Sequence, residues 1–274
     1  MKVRIKFQKF GRMKFIGHLD VMRYFQKAFR RANIDNEYTK GFSPHQIMSF
    51  AAPLGVGLTS DGEYVDVQLL SSKAPDIMIK RMNAVLTEGF RIIGWQPLLE
   101  REENQKAVTA MALVAFADYL VSLKDGYQMS EEVNTQSKFK SEFECFLDAK
   151  EIIIDKKTKN SEKPVDIRPM ISMAAFDKKE YESGLRDIVK EDIYPDKAAN
   201  RPESMAEVYH NGIKVYLQLD TGSLANLKPE LVMEAFCDYL GISYNKFAWQ
   251  VHRLEVYTRD RSTRKLAALD QVER

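Results

Sequence analysis

KVRIKFQK, residues 2–9, decides the fold. Val3, Ile5 and Phe7 alternate with Lys2, Arg4 and Lys6, and a period of two puts the two sets on opposite faces of a β-strand. A helix follows over 18–33, where Leu19, Met22, Phe25, Phe29 and Ala32 form an apolar stripe and Arg23, Lys27, Arg30 and Arg31 take the opposite side. Gly41 and Pro44 mark a loop, 47–52 reads as strand, and Gly55, Gly57 and Gly62 punctuate the next connection. Residues 64–70 read as strand. Pro75 opens a second helix carrying Met78, Met82, Val85 and Leu86, which Gly89 can end, and 90–95 supplies a last strand. The order β-α-β-β-α-β is the ferredoxin-like arrangement. Its helices cover one sheet face, so Lys2, Arg4 and Lys6 belong to the other face, which is left open to bind something. Their strand is central in that topology, so three cations there need anions nearby. Asp66 on the third strand is one candidate and a phosphate backbone is another.

Residues 98–109 read as a linker, and much of the pattern then returns. A strand is expected over 111–123 and a helix opened by Ser130, with Phe139, Phe143, Phe146 and Leu147 inward. Strands over 152–156 and 165–174, and another over 213–219, follow. Pro229 and Gly241 bracket a helix bearing Val232, Ala235, Phe236, Tyr239 and Leu240, and a strand at 251–257 ends the half. The fold class is therefore α+β: two tandem ferredoxin-like halves, 1–97 and 110–258. The second has an extra strand and a charged, mobile insertion at 177–212, and a polar tail occupies 259–274.

The chain has 274 residues, 45% hydrophobic and 29% charged, which suits two globular cores. No apolar run approaches the ~18 residues of a membrane span, and the charged N-terminus does not fit a signal peptide. A cytoplasmic protein without a membrane partner is the expectation. The two cysteines, Cys145 and Cys237, sit in apolar helical patterns and read as buried reduced thiols. They provide no set for zinc or an iron–sulfur cluster, so neither a metal nor another cofactor is expected. Net charge is +2, yet residues 1–40 hold eleven basic residues against three acidic ones. That asymmetry suggests either a polyanionic partner or a solvated helix face.

Three places invite chemistry. His18 stands at a helix entrance with Asp20 two residues on; Asp20 suits the helix dipole, and His18 can act as a base or contact a phosphate. The turn Gly41-Phe42-Ser43-Pro44-His45 presents a second histidine and an aromatic ring, stiffened by Pro44. His18 and His45 lack a third ligand at recognisable spacing for zinc. Lys156, Lys157 and Lys159 form a basic hairpin running into Asp166 and Arg168, which share a face and either pair or flank a nucleic-acid backbone. There is no Walker loop, dinucleotide fingerprint or serine-nucleophile elbow.

Four ordered segments carry a resemblance: KFIGHLDVMRYF at 14–25, GFSPH at 41–45, SFAAPLGVG at 49–57, and DKKTK with PVDIRPMI over 155–171. Over essentially its whole length the chain resembles the radical-SAM-linked proteins, a bacterial family of unknown activity. That family usually has serine where Gly17 stands and often asparagine where Ser43 stands. Its members are fused to a radical SAM enzyme or encoded beside one. This chain has no cluster-binding cysteine triad, so the resemblance implies the freestanding partner. The first half is also similar, in element order and in its helix-and-loop motif, to repeat-associated RNA-processing proteins of CRISPR systems, which pair ferredoxin-like halves and bind RNA.

The resulting expectation is an accessory protein that binds RNA or a ribonucleoprotein and assists a radical SAM enzyme in RNA modification. Lys2, Arg4, Lys6, Arg23, Lys27, Lys156, Lys157 and Lys159 would meet phosphates. Phe15, His18, Asp20, Gly41, Phe42, Pro44, His45, Asp166 and Arg168 would shape a central site. Two alternatives stand beside it. One is a metal-independent ribonuclease using His18 and His45; the other is a protein-binding adaptor, which requires an exposed apolar patch.

Overall fold

The computed structural model describes residues 1–99, 109–157, 162–188, 202–222, 225–259 and 265–272, with side chains omitted at 156, 157, 162 and 186–188. The chain is α+β, with mostly antiparallel strand pairing and six α-helices among the described residues. It divides into two compact units: 1–115 with 189–206 and 253–274, and 116–188 with 207–252.

The first unit contains β1 (Lys2–Lys9), α1 (His18–Arg31), β2 (Met48–Phe50), β3 (Thr59–Gln68), α2 (Pro75–Asn83), β4 (Phe90–Pro97) and the short α3 (Ala110–Leu113). Strand β1 lies between β4 and β3, antiparallel to both, and β2 pairs antiparallel with β3. Val3, Ile5 and Phe7 meet α1 and α2 in a core with Phe25, Phe29, Phe50, Val65, Met78, Met82, Phe90 and Trp95. The rings of Phe7 and Phe25 are 4.7 Å apart. Each buried phenylalanine of this kind contributes about 1.5–3 kcal/mol. Gly89 adopts φ +102°, and a Cβ there would meet Met13 Cγ at 2.5 Å, so the turn into β4 requires glycine.

The second unit contains β5 (Phe116–Leu123), α4 (Gln136–Leu147), β6 (Ile153–Lys157), β7 (Glu162–Asp166), β8 (Ile171–Ala175), α5 (Lys178–Ile188), β9 (Lys214–Asp220) and α6 (Pro229–Tyr239). Strand β10 (Trp249–Arg259) follows, and the division of the chain falls inside it, after His252. The strand order is β10-β5-β9-β8, with β6 and β7 forming a separate hairpin. Phe139, Phe143, Phe146, Phe176, Phe236 and Trp249 make the core, and Phe143 and Phe236 approach to 4.7 Å. In the first unit, β11 (Leu266–Ala268) pairs with the end of β10.

Several expectations change. Residues 110–113 are helical rather than strand, because Thr109 caps them by accepting from Ala112 N, and β5 starts at Phe116. The strand foreseen over 165–174 is broken by a 3-10 turn at Arg168–Met170, where Pro169 favours the turn. Part of the supposedly mobile insertion is the helix α5. Another part, 202–206, is tied to the first unit through Met205 N donating to Asp61 at 2.9 Å. Leu19, placed in the apolar stripe of α1, is 60% exposed; the buried positions are Val21, Phe25, Ala28 and Phe29. Cys145 is exposed, being one step round α4 from buried Phe146, while Cys237 is buried.

The sheet face carrying Lys2, Arg4 and Lys6 is not open. The 259–274 segment, expected to be a polar tail, brings buried Leu266, Ala267, Ala268 and Leu269 to this unit. The Leu269 carbonyl accepts from Arg4 at 2.8 Å. Three cations on a central strand need more counter-charge than Asp66 alone provides, and Glu255 and Asp270 supply it. Among the described residues no helix is long and apolar enough to cross a membrane.

Candidate functional site

The polar face of β1 is a closed ion network. In the register Arg4 lies opposite Asp66 and Lys6 opposite Tyr64. Arg4 grips Asp66 with two donors, at 2.8 and 3.2 Å, and Lys2 lies 3.3 Å from the same carboxylate. Ala110 N completes Asp66 at 2.9 Å. Lys6 pairs with Glu255 and Asp270, and Tyr64 donates to both carboxylates at 2.7 and 3.3 Å. Burial, with those two carboxylates alongside, pushes the Tyr64 hydroxyl well above its usual range. Arg4 is 1% exposed. Bidentate pairing of a buried guanidinium satisfies its fork and leaves it no donor face for a phosphate. Lys2, Arg4 and Lys6 were expected to meet phosphates, and the structure commits them to carboxylates.

A second cluster sits where β1 ends and α1 begins. A bulge between Phe7 and Lys9 displaces the register, and Lys9 is buried. Its ammonium donates to the Ile16 carbonyl at 3.2 Å. Glu63, opposite Phe7 on β3, is held by Arg253: Nε donates at 2.8 Å, and Nη2 reaches the same carboxylate and also the Ala52 carbonyl. His18 is the first residue of α1, after the Gly17 cap, and its ring stands edge-on to Phe50 at 5.1 Å. Partial burial lowers the His18 pKa; Glu63 opposes this and Lys9 adds to it. Burial likewise lowers that of Lys9, opposed by Glu63 and assisted by Arg253. His18 is therefore held towards its neutral form, able to accept or donate one hydrogen bond.

Several large apolar side chains of this unit are exposed: Phe15 is 66% exposed, Leu19 60%, Val56 60% and Phe42 fully exposed. Gly57 N donates to Lys14 O at 2.7 Å, which ties the 49–57 segment to the 3-10 turn at Gly11–Phe15. Along α1, Arg23, Lys27 and Arg30 are exposed at a spacing that shares one helix face. Lys27 and Arg30 have no ion pair among the described residues, and Arg23 has a loose one to exposed Asp20 at 3.6 Å.

The remaining expected site residues separate. His45 is exposed, with its Nδ1 near Thr39 Oγ1 at 3.1 Å and the Ser43 carbonyl at 3.3 Å. No contact joins it to His18 among the described residues. Gly41 takes φ +120° in the same turn, and Pro44 is exposed. Asp166 accepts from Ile152 N and Arg168 N, and Arg168 donates to Leu147 O and Ile171 O. Both hold backbone in the second unit. Lys156 and Lys157 lie on β6; their side chains, like all of Lys159, are outside the described residues. Among the described residues no group of three or more His, Cys, Asp or Glu is placed to hold a metal ion.

Sequence reasoning missed Lys9, Glu63 and Arg253. Lys9 did leave a trace: it has the parity of Val3, Ile5 and Phe7, so a lysine stood at a core position. Glu63 and Arg253 meet across 190 residues, and no local pattern carries that.

Nothing among curated proteins matches this chain. A family described as "Uncharacterized protein conserved in bacteria (DUF2344)" matches residues 2–221, from β1 to the end of β9. That span is most of the sequence, and the chain belongs to this bacterial family of uncharacterised proteins.

Proposed function

We propose that this protein is an accessory module that binds RNA for a radical SAM modification enzyme, with the surface around His18 and α1 as its working face. One observation carries the reading: exposed cations at Arg23, Lys27 and Arg30, of which only Arg23 has an ion pair among the described residues and that a loose one to Asp20, occur in the same unit as exposed aromatic rings at Phe15 and Phe42. Single-stranded nucleic acid is bound by that combination, cations following phosphates and rings stacking on bases. Lys14 already lies over the Phe15 ring at 5.6 Å, beside the proposed stacking position. The radical SAM partner rests on the sequence resemblance. The strand orders β4-β1-β3-β2 and β10-β5-β9-β8 support reading both units as ferredoxin-like variants, a plan that suits such accessory work. His18 positions the bound strand on this reading, because His45 is engaged in its own turn.

The test is RNA binding by the full chain as a function of salt. Phe15→Ala and Phe42→Ala should each weaken binding of a single-stranded oligonucleotide by about 1–3 kcal/mol per lost stack. Absence of salt-dependent RNA affinity in the parent protein refutes the reading. The adaptor alternative draws on Leu19 and Val56, which are apolar, exposed and offer nothing to a base. If Leu19→Asp abolishes association with the partner enzyme while RNA binding is absent, the adaptor reading holds instead.

A further inference from the structure

We propose that Lys9, His18 and the first turn of α1 form a binding site for a single phosphate group. The site does not depend on RNA being the macromolecular partner. Lys9 is 2% exposed. A buried ammonium is costly unless a counter-ion and hydrogen-bond acceptors surround it. Its one hydrogen bond goes to the Ile16 carbonyl, and no carboxylate lies within salt-bridge distance among the described residues. Two of its three N–H donors thus have no acceptor there. Glu63 is the nearby anion, but Arg253 holds it with two donors. Among the described residues, Lys9 and Arg253 therefore share the single carboxylate of Glu63, which Arg253 holds directly.

The ammonium is anchored at Ile16, next to Gly17, which caps the 14-residue helix α1. Gly17 O accepts from Asp20 N and Val21 N, whereas the amides of His18 and Leu19 donate to no described group. Free amides at a helix start favour an anion. The His18 imidazole adds a donor on the accessible side, its ring fixed by Phe50. An ammonium with no directly paired carboxylate, two amides without an acceptor among the described residues, and an imidazole at one helix entrance match an oxyanion with several acceptor oxygens. A phosphate group meets this need better than a carboxylate, which has fewer oxygens for these four donor groups.

Inorganic phosphate is the probe, titrated into the full chain at constant ionic strength while the His18 ring protons are followed by NMR. We expect a saturable millimolar shift and a rise in the His18 pKa when phosphate is bound. Lys9→Met should weaken that binding at least about tenfold, as loss of a charge-assisted contact requires, while leaving the fold intact because it removes an uncompensated buried charge. If Lys9→Met does not fold, Lys9→Gln replaces it. Thermal stabilisation by phosphate but not chloride, present in the parent and lost in the variant, is the second readout. No saturable shift in the parent, or equal binding by parent and variant, overturns the proposal. Competition by a single-stranded oligonucleotide identifies an RNA backbone phosphate as the source. Phosphate binding without such competition identifies a small phosphorylated ligand, and supports the site even if the RNA-binding reading fails.

Discussion

Strand β1 and helix α1 share the basic surplus of the first forty residues, yet they use it in opposite ways. On β1, Lys2, Arg4 and Lys6 are matched against Asp66, Glu255 and Asp270, with Arg4 and Asp66 fully buried and the others partly so. On α1, Arg23, Lys27 and Arg30 remain in solvent with at most a loose partner. Charge that is buried has to be neutralised and becomes part of stability; charge left in water is available to a partner. Composition counts the two sets as one.

The largest effect expected from this contrast is at Arg4. Arg4→Met leaves Asp66 buried with only Lys2 and one backbone amide, and should cost about 3–5 kcal/mol in urea denaturation. Parent-like stability in Arg4→Met breaks the comparison at its strongest point. Tyr64→Phe removes hydrogen bonds to two carboxylates, and a loss of about 1.5–3 kcal/mol is expected in the same assay.

Exchanging Arg23, Lys27 and Arg30 together for alanine should leave stability within about 0.5 kcal/mol. The same triple variant should lower the salt slope of RNA affinity by about 2, since each lost phosphate contact on a single strand removes about 0.7. If the slope is unchanged, the helix face is merely solvated. The smallest effect concerns pH. The folded His18 pKa lies below its ordinary value through burial, so the unfolded chain binds more protons in that window. Its contribution is fully present above the unfolded pKa and is lost as pH falls through the window beneath it. His18→Phe should flatten that part of the stability profile; an identical profile in the variant removes His18 as the cause.

Much of this was legible beforehand because it is local. Alternation in 2–9 places β1, the Pro75 start places α2, and the Phe139, Phe143 and Phe146 spacing places the buried face of α4. The need for anions beside β1, with Asp66 among them, followed from putting three cations on a central strand. The apolar stripe of α1 misled at Leu19, since periodicity marks which face is apolar but not how far the core extends along it. Leu19 in the first turn lies beyond that core.

Read alone, the sequence places most of the elements of the first unit, the positive surplus of the first forty residues and the residues that stand at helix entrances and turns. These depend on propensity and spacing between neighbours along the chain. Which cations pair with carboxylates and which stay in solvent is fixed by the folded chain. Glu255 and Asp270 reach β1 from the far end of the chain, and Arg253 claims Glu63, leaving Lys9 buried with no carboxylate in salt-bridge distance among the described residues. Electrostatic pairing acts through space over a few ångströms, and sequence separation says nothing about which charges come that close.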